Sequence, residues 1–302
     1  MKPAILVGNG INNINNKLSW SALLEEIIRD VGADVSTDNM NKKPFPLFYE
    51  EIYISAVKNS GITEYALKEM ISKKVGSIAG NEIHKRITSG IFSDIITTNY
   101  EYTLESCLIN DFKQKNLGVV RETKYSIYRH GRINDMNFWH IHGDMHRPSS
   151  ILLGYEQYSG QLQVMRNYVV SGTNYESKTA KVLPLTKRMG KKDYQPLSWI
   201  DRFFTGDLHI VGLSLDFIES DLWWLITYRA RRIFEKPGKN DRYKGMRKAL
   251  EKSRIYYYYP EKYYNREKMQ LLEANGISTV ALPLDNSVEF YDFVLDQVET
   301  KK

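Results

Sequence analysis

Four short apolar runs in this chain each end in small or polar residues, and those repeated endings constrain the fold more than any other feature. Ala4 to Val7 runs into Gly8-Asn9-Gly10-Ile11-Asn12, and Phe92 to Thr97 runs into Thr98-Asn99-Tyr100-Glu101. Phe138 to Ile141 ends at His142-Gly143-Asp144, and Leu208 to Val211 at Gly212-Leu213-Ser214-Leu215-Asp216. Short β-type runs of this kind read as buried strands. After the first, Leu23, Leu24, Ile27, Ile28 and Val31 recur at helical spacing, with Ser19 as N-cap. After the last, residues 218–234 read as a long helix.

Strands alternating with helices predict an α/β fold, a Rossmann-like and mostly parallel sheet covered by helices on both faces. Residues 46–90 carry helical periodicity throughout, which predicts a helical insertion, 40–91, after the first strand. Tyr100 to Leu108 reads as a helix, and Asn99 stands where an asparagine would cap it. Ile151 to Leu153 reads as a further short strand. Arg254 to Tyr259 and Ser278 to Ala281 supply two more, with helices at 263–274 and 286–298. Residues 172–196 are polar and basic with weak periodicity, and they are expected to form a flexible loop or lid. At 302 residues the chain is read as one domain, 1–302. In an open parallel sheet ligands bind beyond the carboxyl ends of the strands, so the four endings should converge on one crevice.

Composition narrows the function. Cys107 is the sole cysteine, which excludes an internal disulfide and a multi-cysteine zinc site. No apolar stretch approaches a membrane-spanning length, and the apolar run at the N-terminus is too short for a signal peptide, so a soluble cytoplasmic protein with no membrane partner is expected. The net charge of +6 is uneven: residues 229–268 hold 14 Lys/Arg against 5 Asp/Glu. Those bases are scattered through helical text and read as a solvated face, which makes nucleic acid an unfavoured partner. The aromatic run Tyr256 to Tyr259 and the pair Tyr263-Tyr264 read as packing residues rather than a base-stacking platform.

The order glycine turn, Thr97-Thr98-Asn99-Tyr100, His142-Gly143, then Gly212-Leu213-Ser214 with Asp216 resembles the sirtuin-like domain family. Leu152-Leu153-Gly154-Tyr155-Glu156-Gln157-Tyr158 adds to the resemblance, which is to the bacterial branch of NAD-hydrolysing antiphage-defence effectors. The family's deacylases use a four-cysteine zinc module, which Cys107 alone cannot build. They also carry a proline-aspartate-phenylalanine-arginine segment where this chain has Asn15-Asn16-Lys17-Leu18-Ser19-Trp20.

The resemblance implies an NAD+ hydrolase that cleaves the nicotinamide–ribose bond to nicotinamide and ADP-ribose. NAD is then substrate, and no cofactor is required. Nicotinamide leaves a cationic pyridinium as a neutral molecule, so the site needs geometry and a base rather than a strong acid. Asn99 corresponds to the asparagine that orients ribose and water; its amide both donates and accepts. His142 corresponds to the general base, with an ordinary pKa of about 6.5. Gly8, Asn9 and Gly10 would let the backbone approach a pyrophosphate, Asn12 would contact phosphate or ribose, and Thr98 and Glu101 would flank Asn99. Glu101 stands where the family usually has aspartate. Gly212, Ser214 and Asp216 would bind the adenosine side.

His140, two residues before His142, is expected to be a support. Ligand-type residues at His140, His142, Asp144 and His146 spread roughly 6–7 Å per step along an extended chain, so no metal site is expected. At this length the chain reads as an enzyme domain without an appended sensor, which implies homo-oligomerisation or an activating partner protein. The alternative is a non-catalytic module that binds NAD or ADP-ribose and signals to a partner.

Overall fold

The computed structural model describes residues 2–14, 20–38, 40–112, 116–174, 181–239 and 241–300. Ser19 and the 15–18 segment before it lie outside them. The chain opens with β1 (Ala4–Val7), a 3₁₀ turn at Asn9–Ile11, and α1 (Trp20–Val31). Three helices follow, α2 (Phe45–Ser60), α3 (Glu64–Val75) and α4 (Glu82–Ile87), before β2 (Asp94–Thr97) and the single turn α5 (Thr103–Ser106). Then come β3 (Gly131–Ile133), β4 (Met136–His140), α6 (Tyr155–Arg166), β5 (Thr173–Asn174), β6 (Lys181–Val182) and α7 (Leu185–Arg188). The last part holds β7 (Leu208–Val211), α8 (Ser220–Phe234), α9 (Lys244–Leu250), β8 (Ile255–Pro260), α10 (Arg266–Ala274), β9 (Ser278–Leu282) and α11 (Val288–Thr300).

Among the described residues, seven strands form one sheet in the order β3-β4-β2-β1-β7-β8-β9. All neighbours are parallel except the β3–β4 pair. Side chains alternate across a strand, and here both faces are buried. Leu6, Ile96, Trp139 and Ile210 pack into one core, while Ile5, Val7, Ile95, Phe138 and Val211 pack into the other. A third core joins α1, α2 and α3 to Tyr100, Ile151 and Leu153. It seats the helical segment over one end of the sheet.

β1 is the central strand, and the chain lies first on its β2 side and later on its β7 side. Such a reversal opens a crevice beyond the carboxyl ends of the strands.

Three local expectations are corrected. Ile151 to Leu153 is buried but is not a strand: the Leu152 amide donates to the His142 carbonyl at 2.9 Å and the Leu153 amide to Gln157 Oε1 at 3.2 Å. The helix after β2 begins at Thr103, so Asn99 does not cap it. The 172–196 segment is anchored in its described part, because Val182, Leu185 and Met189 belong to the main core and Arg188 reaches buried Asp201 at 3.4 Å.

Candidate active site

The carboxyl ends of β1, β2, β4 and β7 open onto a cavity of about 1070 Å³. Asn9 and Gly10 line it from β1, Thr98 and Asn99 from β2, His142 from β4, and Gly212, Ser214 and Asp216 from β7. Phe45 and Phe48 close one side, and Tyr257, Tyr259, Tyr263 and Tyr264 stand at the β8 end. The sheet thus brings together the two residues read as catalytic and most of those read as ligand-binding.

Asn99 is held from three directions. Its amide donates to Thr97 Oγ1 at 3.0 Å, its Nδ2 to the Gly8 carbonyl at 3.4 Å, and its own carbonyl accepts from His140 Nδ1 at 2.8 Å. Among the described residues, its Oδ1 takes no hydrogen bond and is left for a ligand.

His142 sits just past β4, where the chain must turn. Gly143 has φ +96°, and a Cβ there would lie 2.2 Å from the Ser150 carbonyl oxygen. Only glycine meets both demands. The imidazole Nε2 lies 3.0 Å from Asp221 Oδ2 and 3.8 Å from Glu219 Oε2. Burial pushes the His142 pKa down, and the Asp221 carboxylate, with Glu219, outweighs it, so the net direction is up. Burial raises Glu219 to about 7, against the pull of His142. Its carboxyl is also hydrogen-bonded with the Tyr158 phenol, whose ring meets that of His142 edge-on at 5.4 Å.

Three residues expected in the site lie elsewhere. Asn12 is buried and turned inward, donating from Nδ2 to Asn9 Oδ1 and Glu101 Oε1, each at 2.8 Å. Glu101 also accepts from Thr103 Oγ1 at 3.4 Å, and burial raises its pKa. This pair ties the β1 turn to the β2 turn from behind. Gly8 also faces away: a Cβ on it would lie 2.6 Å from the Gly212 carbonyl oxygen. The Gly10 amide is spent on that same oxygen at 2.7 Å. Both glycines allow the close approach of the two turns, and Gly10 also lines the cavity.

At the β7 end, Ser214 Oγ donates to Asp216 Oδ2 at 3.0 Å, and Lys268 Nζ reaches the Ser214 carbonyl at 2.8 Å and Asp216 Oδ1 at 3.4 Å. Part of the basic 229–268 stretch is thus structural, and Arg229 and Arg232 of it are buried. Asp221 and Glu219 escaped the sequence reading. Their signal was two acids at the start of a helix, a common place for acids to complement the helix dipole. His142, Glu219 and Asp221 each offer one ligand atom, all within 4.8 Å of one another, so this trio could also hold a cation.

Residues 93–192 match the family model described as a SIR2-like domain. This part of the chain is similar to the SIR2-like domain. The match takes in Asn99, His140 and His142, while the crevice is completed by the β1 and β7 turns outside it. The chain is also similar to the NAD(+) hydrolase ThsA of Bacillus cereus (strain MSX-D12), at 26% identity over 163 residues. That alignment covers 52% of this chain and 31% of the relative, so the chain spans about a third of the curated relative's length. Among the described residues no helix is long and apolar enough to cross a membrane.

Proposed function

We propose that this chain hydrolyses NAD at the nicotinamide–ribose bond, releasing nicotinamide and ADP-ribose. The observation that carries this reading is that Asn99 and His142, from two different strands, line one crevice. The similarity to an NAD(+) hydrolase supports it.

The chemistry follows from the groups available. The departing pyridinium carries its own positive charge, so bond breaking needs only a well-placed ribose and a water. Asn99, held through its backbone and Nδ2 by Thr97, His140 and Gly8, presents Oδ1 to orient that water or a ribose hydroxyl. His142 accepts the proton that the water loses on attack at the anomeric carbon. The aromatic side chains of the crevice offer stacking faces for the nicotinamide and adenine rings. Asp216 and Ser214 suit hydroxyls of the adenosine ribose. No metal or further cofactor enters this scheme.

The resemblance to NAD-depleting effectors extends the reading to antiphage defence in the cytoplasm, with activity released by self-association or by a partner protein. Phe217 at the crevice and Phe234 at the end of α8 are exposed aromatic side chains that such an association could cover.

The test is to incubate purified protein with NAD over a range of protein concentrations and to quantify nicotinamide and ADP-ribose. Equimolar release of both is the expected result. Tight NAD or ADP-ribose binding without release at any concentration would replace the hydrolase with a nucleotide-sensing module.

A further inference from the structure

Asp221 stands out because its partner explains only half of it. The side chain is fully buried in the first turn of α8. Oδ2 faces His142 Nε2 at 3.0 Å, and Oδ1 is buried with no hydrogen-bond partner among the described residues. A buried carboxylate left this bare is costly unless its one contact is charge-assisted or functionally required.

The contact has a directional consequence for His142. A carboxylate oxygen accepts, so Nε2 must carry a proton and the neutral ring is the Nε2–H tautomer. The basic lone pair then sits on Nδ1, which has no hydrogen-bond partner among the described residues. The backbone of His142 is fixed as well, through the bond from the Leu152 amide, and the Leu152 carbonyl accepts from Tyr100 Oη at 2.7 Å.

We propose that Asp221 is a positioning residue for catalysis: it selects the Nε2–H tautomer of His142, aims Nδ1 into the crevice as the base, and balances the imidazolium formed on proton transfer. This deepens the hydrolase reading and rests on it. In the step itself, Nδ1 takes one proton from water, the water oxygen bonds to the anomeric carbon, and the nicotinamide nitrogen leaves with the electron pair of the broken bond. The charged or titratable groups facing His142 are Asp221 and Glu219 at the start of α8 and the Tyr158 phenol on α6. Tyr100 and Asp216 act on it through Glu219.

The test pairs histidine-selective 15N NMR with the pH profile of nicotinamide release. In the wild type, the His142 signal, assigned with His142→Gln, is expected to show Nε2–H when neutral and to titrate above 6.5. In Asp221→Asn the amide can donate as well as accept, so the tautomer shifts toward Nδ1–H and titration moves to lower pH. Turnover should fall about tenfold to a thousandfold with little change in KM, and the acid limb should move to lower pH. The wild-type tautomer tests the proposal even if Asp221→Asn fails to fold.

An Nδ1–H tautomer in the wild type, or an unchanged titration in Asp221→Asn, would overturn the proposal. So would selective broadening of His142 by equimolar Mn2+ with loss of turnover on chelation, which would make the trio a metal site. If the wild type releases no nicotinamide while the NMR results hold, the hydrolase reading fails and the Asp221–His142 relationship stands.

Discussion

Nδ1 of His140, the last residue of β4, lies 2.8 Å from the main-chain carbonyl oxygen of Asn99, just past the end of β2. At its other nitrogen, Nε2 lies 2.8 Å from Glu105 Oε1. Both partners are acceptors, so the ring satisfies both only as a doubly protonated imidazolium. Burial opposes that charge, and Glu105 outweighs burial, pushing the His140 pKa up to about 9. The two histidines at the end of β4 therefore have separate work: His140, its last residue, secures the Asn99 backbone, and His142, just past it, faces the crevice.

The sign of the pH effect on stability follows. A histidine whose folded pKa is raised contributes stability fully below its unfolded pKa of about 6.5, and loses that contribution as pH rises through its folded value. The melting-temperature gap between wild type and His140→Gln should be largest below pH 6.5 and narrow toward pH 9 and above. A gap independent of pH would mean that His140 is neutral. His140→Ala, which leaves Glu105 buried without its partner, should cost about 3–5 kcal/mol in denaturant unfolding.

Gly143→Ala should be among the most damaging single-atom additions in the chain. The φ of +96° strains any side chain, and the Ser150 carbonyl occupies the Cβ position at 2.2 Å. A loss of more than about 2 kcal/mol is expected by urea unfolding, together with loss of NAD cleavage because His142 is the adjacent residue. Wild-type stability in this variant would contradict the turn geometry.

Two acids named by the sequence should part company in kinetics. Glu101 is buried behind the turns and bonded to Asn12, whereas Asp216 is exposed in the crevice. Glu101→Gln keeps its shape and should leave KM for NAD unchanged, with a small loss of stability. Asp216→Ala should raise KM roughly tenfold with kcat nearly constant, the pattern of lost uniform binding. The reverse assignment of effects would return Glu101 to the ligand.

The four strands that carry the crevice were legible because each is a short apolar run with an abrupt polar ending. β3 was not, since three residues with Arg132 at the centre leave too little pattern to read. Ile151 to Leu153 misled for the opposite reason: burial makes a segment apolar whether its amides join a ladder or, as here, meet His142 and Gln157. At the strand ends, residue type did not reveal direction. Asn12 and Asn99 look alike in the sequence, yet one closes a buried network with Glu101 and His84 and the other lines the cavity. Asp221 was invisible because its partner lies 79 residues away and only the sheet order brings β4 beside the start of α8.

The central claim is that Asn99 and His142 together cleave NAD, and it is tested most directly by measuring nicotinamide release and NAD binding side by side in wild type, Asn99→Ala and His142→Ala. The expected result is release by the wild type and a loss of about a hundredfold or more in each variant, with NAD binding retained. Release by either variant at the wild-type rate would contradict the account.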